Sequence, residues 1–158
     1  MRAKWLAMLS FLACAAAGSA AGAGEPEVVV RSAKGEFQDV KQRVLEAIEA
    51  RGLVVNYTAR IGAMLERTGK DIGATRRPYA QAELLEFCSA RYSRDAMEAD
   101  PRNIAFCPYS IAVYTLPSEP GAVYVAYRRP AAFGSERSRE ALRAVAKLLA
   151  DIVGDALR

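Results

Sequence analysis

The chain has 158 residues, 52% hydrophobic and 25% charged, with 11 Gly, 7 Pro and 3 Cys; this fits one globular domain and excludes disorder, collagen and a disulfide-dense miniature scaffold. It contains no His, which excludes a Ser-His-Asp triad, a His-ligated zinc or haem and an imidazole pH switch. The 22 basic and 18 acidic residues give a net charge of +4, without the concentrated basic face of phosphate neutralisation, so no nucleic-acid partner is expected.

Arg2 and Lys4 precede the apolar run Trp5 to Ala13, and small residues follow from Ala15 to Gly24. That order predicts a secretory signal peptide over residues 1–23, cleaved between Ala20 and Gly24 near Ala21-Gly22-Ala23. An uncleaved anchor is the alternative, but the second half of the stretch is Ala and Gly rather than Leu and Ile. Cys14 leaves with the signal. The mature chain, residues 24–158, is then a periplasmic single domain with no stable membrane insertion, and its balance falls to 20 basic against 18 acidic residues once Arg2 and Lys4 are gone.

Val28-Val29-Val30 reads as a first strand, broken by Gly35. Phe37, Val40, Val44 and Ile48 follow at spacings of three, four and four, one face of a helix that stops at Arg51-Gly52. Leu53 to Thr58 resumes as a strand, giving a β-α-β opening. A short helix over Ala63 to Arg67 and then a loop with Gly69, Gly73 and Arg76-Arg77-Pro78 come next. Ala82 to Ala90 is the third strand candidate, and Ser93 is the expected cap of a short helix through Met97, ended by Asp100-Pro101. Tyr109 to Leu116 and Ala122 to Tyr127 are rich in β-branched and aromatic residues, and Pro117-Ser118-Glu119-Pro120-Gly121 joins them as a hairpin. From Ser135 or Ser138, the stripe Leu142, Val145, Leu149, Ile152 and Ala156, widened by Leu148 and Val153, predicts a terminal amphipathic helix that covers the core. The fold class is α/β (α+β): a two-layer sandwich with a C-terminal hairpin and helix.

Glu86-Phe87-Cys88-Ser89, a short helix ending Ala99-Asp100-Pro101, and Phe106-Cys107-Pro108-Tyr109 before a strand with Val113-Tyr114 together resemble the bacterial family catalogued as domain of unknown function 302. The resemblance spans about residues 28 to 130. It implies a compact α/β domain, sometimes exported, with no assigned enzymatic activity. The family pattern has Phe-Cys-Asn where this chain has Phe-Cys-Ser, and Pro-Cys where it has Pro108-Tyr109. Cys88 carries over directly, whereas Cys107 stands on the other side of the proline.

Cys88 and Cys107 are the only thiols of the mature chain, and export favours pairing them as a disulfide. Burial as small apolar side chains and use as functional thiols are the alternatives. With Met64 or Met97 the pair has the softness of a Cu(I) site, but no close Cys-x-x-Cys or Met-x-x-Met spacing supports one, and neither metal nor cofactor is expected. Gly62 to Lys70 looks like a phosphate loop but has six residues between its glycines and Asp71 after the Lys, so it is rejected. Glu83, Glu86, Asp95, Glu98 and Asp100 offer carboxylates for acid/base work, though solvated surface positions explain them more simply. Arg76-Arg77 and Arg128-Arg129 are cationic clusters for an anionic ligand, with surface charge as the plainer reading. Tyr109, Tyr114 and Tyr124 on the hairpin are core residues or ligand contacts.

These residues lead to an exported, non-catalytic binding or accessory protein. Tyr109, Arg128 and Arg129 are the ligand-binding candidates, and the partner is a small ligand, another protein or a second copy. A thiol-dependent redox enzyme or carrier and a Cu(I) chaperone are the alternatives.

Overall fold

The computed structural model describes residues 27–158, so the expected signal peptide lies outside the described residues. The chain runs β1 (Val28–Lys34), α1 (Phe37–Glu49), β2 (Val54–Ala59), α2 (Ile61–Gly69), β3 (Gln81–Cys88), α3 (Ala90–Ala99), β4 (Tyr109–Thr115), β5 (Ala122–Arg128) and α4 (Glu136–Ala156). Short 3-10 turns occupy Lys70–Ile72 and Pro101–Phe106.

The strands form one sheet in the order β1-β5-β4-β3-β2, every neighbouring pair antiparallel. The β-α-β opening is present in chain order, but β1 and β2 stand at opposite edges, and α1 carries the chain from one to the other. The hairpin of β4 and β5 sits inside the sheet. Alternation along the strands sends Val123, Val125 and Tyr127, Tyr109, Ile111 and Val113, and Leu85 and Phe87 to one face, all of them buried. On that face they meet Phe37, Val40, Val44 and Ile48 of α1 and Leu142, Val145, Leu149 and Ile152 of α4. The stripes at three- and four-residue spacing are thus the helical half of the core. The strands' period-two positions are the other half.

The opposite face of the sheet carries Leu84, Ala112, Tyr114, Tyr124 and Ala126, with the rings of Tyr114 and Tyr124 stacked 5.2 Å apart. Part of it is approached by α2, which runs two residues longer than expected at each end and buries no residue fully. Ser93 is not the cap of α3. That helix begins three residues earlier, and Ser89 is its N-cap, accepting a hydrogen bond from the Tyr92 amide at 3.4 Å. The strand signal through Ala90 overran because Ser89 caps as readily as Ser93 and leaves the strand two residues sooner. Ser135 caps α4 in the same way.

Candidate functional site

The register of β3 on β4 pairs Phe87 with Tyr109, so the next residue, Cys88, comes level with Pro108, beside Cys107. The Cys107-Pro108 peptide is cis. The two sulfurs lie 3.5 Å apart, that of Cys88 exposed and that of Cys107 half-buried. Because α3 starts at Ala90, Ser93 stands one turn into the helix, with Oγ 3.3 Å from the Cys107 Sγ. The same hydroxyl donates to the Tyr109 phenol at 3.4 Å. Tyr109 is buried and packs edge-on against Phe87, with ring centroids 6.1 Å apart.

Burial, and next the hydrogen bond and charge of the neighbouring Cys107 sulfur, push the Cys88 thiol up to about 11, with Glu86 adding to the same effect. At pH 7 only about one Cys88 in ten thousand is then a thiolate, whereas nucleophilic thiols are held low by cations or helix dipoles. Burial also raises the Tyr109 phenol, offset in part by the Ser93 hydrogen bond.

Tyr109, Arg128 and Arg129 come together. With Phe106, Pro108 and Pro130 they line a cleft of about 120 Å³ behind the cysteine pair. It adjoins a larger cavity of about 470 Å³ that shares Arg129 and Pro130 and adds Arg143 and Lys147 of α4. The Arg129 amide donates to the Glu27 carbonyl at 2.7 Å, which fixes the chain where it leaves the sheet. Two expectations fail geometrically. Tyr114 and Tyr124 belong to the opposite face and do not join Tyr109, and Arg76-Arg77 precedes β3 at the far end of the sheet from Arg128-Arg129. Alternation along β4 and β5 separates the first, and antiparallel pairing separates the second.

Several of the carboxylates are held in ion pairs: Glu83 with Lys41 at 3.1 Å, Glu98 with Arg94 at 3.3 Å and Asp100 with Arg102 at 2.6 Å. The Arg102 guanidinium and amide hold the Asp100 carboxyl below the usual carboxylate range. Among the described residues no three His, Cys, Asp or Glu side chains are grouped to hold a metal ion. Met64 lies on α2, whose Gly62 abuts the start of β3, at the other end of that strand from Cys88. Sequence reasoning missed Ser93 as the neighbour of Cys107. The signal was its spacing of four from Ser89, which puts both on one helical face once Ser89 is the cap.

A family profile described as Domain of unknown function DUF302 matches residues 28–157. The chain belongs to the DUF302 family. The match extends the resemblance read from the cysteine motifs through α4, so the terminal helix is part of the DUF302 domain. An uncharacterized conserved DUF302 protein from Bacillus stearothermophilus has a similar crystal structure, with a TM-score of 0.68 at 16% sequence identity, over 84% of this chain and 98% of that one. At that identity the likeness concerns the fold. No curated protein matches this DUF302 chain.

Proposed function

We propose that this DUF302 protein is a periplasmic binding or accessory protein rather than an enzyme, exported by a signal peptide over residues 1–23. In the mature protein Cys88 and Cys107 are joined as a structural disulfide, and the cleft at Tyr109, Arg128 and Arg129 takes a small ligand with an anionic group. The observation that carries this reading is the 3.5 Å approach of two sulfurs whose exposed member is held protonated. Cys88 is then a poor nucleophile, but the two sulfurs are placed for cross-linking: a sulfur separation of about 2.05 Å needs only a further closure of roughly 1.5 Å. Oxidation removes two protons and two electrons from the thiols, and an exported protein disulfide accepts them and becomes a dithiol. The bond closes the segment from Cys88 to Cys107, so α3 and the 3-10 turn after it are tied beside the cleft.

Non-reducing peptide mapping of protein taken from the periplasm tests this. A linked Cys88/Cys107 peptide pair is the expected result, and two alkylatable thiols overturn it. The proximity of the two sulfurs also admits one second reading, in which a soft monovalent cation such as Cu(I) displaces both thiol protons and is held between the sulfurs, which move apart to take it. Free thiols together with one equivalent of copper in the isolated protein would establish that reading instead.

A further inference from the structure

Two stretches that play no part at the cysteine site meet at the opposite end of the sheet. Between them α2 and the loop after it enclose a cleft of about 240 Å³, lined from Gly62 to Lys70 on one side and from Ala74 to Tyr79 on the other. The length of β3 separates it from Cys88, about 23 Å at a rise of ~3.3 Å per residue.

The local sequence explains the shape. Gly62 lets α2 lie directly against β3, since a Cβ there would fall 2.9 Å from the Ala82 amide nitrogen. Gly73, at φ +67°, turns the chain back. The Ala74 amide then donates to the Gly69 carbonyl at 2.8 Å and the Gly73 amide to the Lys70 carbonyl at 3.3 Å, so these carbonyls at the end of α2 are occupied. Arg77 is fixed by Glu66 at 3.3 Å and by the Ala80 carbonyl at 3.1 Å. Lys70 and Arg76 also line the cleft, and neither forms an ion pair among the described residues. Three cations thus face one carboxylate, Glu66. Tyr79, held edge-on to Tyr114 with centroids 5.4 Å apart, and Leu65 and Pro78 form the apolar wall.

We infer that this cleft is a second binding site, for a phosphate monoester. The formal excess of two positive charges matches the dianion, Lys70 and Arg76 supply charge-assisted hydrogen bonds, and Tyr79 and Leu65 cover the organic part. The volume lies below the range of drug-sized pockets, which restricts the ligand to a small ester or to a headgroup whose tail stays outside. The assignment goes beyond the function proposed above and holds whether the cysteines are bonded or free.

The test uses the mature protein at constant ionic strength, with phenyl phosphate as the soluble probe, phenol as its uncharged control, and phosphatidylcholine vesicles with and without phosphatidic acid. Saturable binding of phenyl phosphate, with amide shifts confined to residues 62–79, supports a soluble ester. Binding only to phosphatidic acid vesicles supports a lipid headgroup. Lys70→Ala and Arg76→Ala should each weaken binding about five-fold, and Glu66→Gln should tighten it about three-fold. Arg137→Ala on α4 should leave it unchanged. Binding in neither arm, equal binding of phenol, or an affinity unmoved in the Lys70→Ala/Arg76→Ala double variant overturns the assignment. The state of the thiols is measured on the same samples, so the two sites succeed or fail separately.

Discussion

Asn103 and Ser138 are joined inside the protein: Asn103 Nδ2 donates to Ser138 Oγ at 3.0 Å and also to the Ala96 carbonyl at 2.8 Å. Both side chains are buried, at 2% and 0% exposure. One amide therefore ties the end of α3, the 3-10 turn before Cys107 and the first turn of α4. Phe106 against Phe133 and Arg102 over the Phe133 ring close the same junction from outside. The position of Cys107 rests on this polar contact as well as on the register of β4.

Removing that amide takes its donor from the buried Ser138 hydroxyl and one of two donors from the Ala96 carbonyl, which keeps the Asp100 amide at 3.1 Å. Asn103→Ala should lower the unfolding free energy by roughly 1–3 kcal/mol. Urea denaturation measures it. A midpoint equal to that of the wild type would show that the junction does not hold the turn.

The cysteine pair gives a second expectation. In the chain-entropy account a disulfide closing a loop of this length contributes about 3 kcal/mol. Oxidised mature protein should therefore lose about that much stability when reductant is added, and Cys88→Ser should reproduce the loss without responding to reductant. A denaturation curve indifferent to reductant in protein whose thiols had been mapped as linked would mean that the loop is already restricted in the unfolded chain.

For the reduced protein the direction of the Cys88 shift fixes a pH dependence. Its pKa is raised from 9.0 to about 11 in the folded state, so the folded protein holds this proton more tightly than the unfolded chain. The stability gained is fully present below pH 9 and is lost as the pH rises toward about 11. Alkylation of Cys88 by iodoacetamide should accordingly keep rising about ten-fold per pH unit beyond pH 9, where an ordinary thiol levels off. A plateau near pH 9 would show that burial and Cys107 do not act on this thiol.

Element order, the hairpin and the core face of α4 were legible because each rests on a local pattern. Phe37, Val40, Val44 and Ile48, like Leu142, Val145, Leu149 and Ile152, carry their helical period in the residue types themselves. The edge positions of β1 and β2 were not legible, since Val28 to Val30 and Val54 to Thr58 read alike as strands and nothing local says which neighbour they pair with. The approach of Cys88 to Cys107 was half legible. One lies at a strand end and the other at a strand start, but their meeting depends on the non-local register of Phe87 with Tyr109. Ser93 was misread because two serines four apart are equally good caps, and the choice between them falls to Ser89, whose side chain the fold buries at the end of β3.

Two glycines, both in helices, should respond in opposite ways to the same substitution. Alanine gains up to about 1 kcal/mol over glycine in helix propensity. At Gly154, on α4, nothing lies within 4 Å of the added Cβ, so Gly154→Ala should stabilise the protein by about that propensity gain. At Gly62 the Cβ would fall 2.9 Å from the backbone nitrogen of Ala82, at the start of β3 where the strand is paired with Tyr114 of β4. Overpacking of this kind costs about 1–3 kcal/mol, which exceeds the propensity gain. Because α2 buries no residue fully, the helix should give way rather than β3. The expected result for Gly62→Ala is amide exchange over Ala63 to Gly69 faster by about ten-fold, with little change for Ile111 in the core. Unaltered exchange along α2 would mean that the close approach of Gly62 to Ala82 is not what seats the helix.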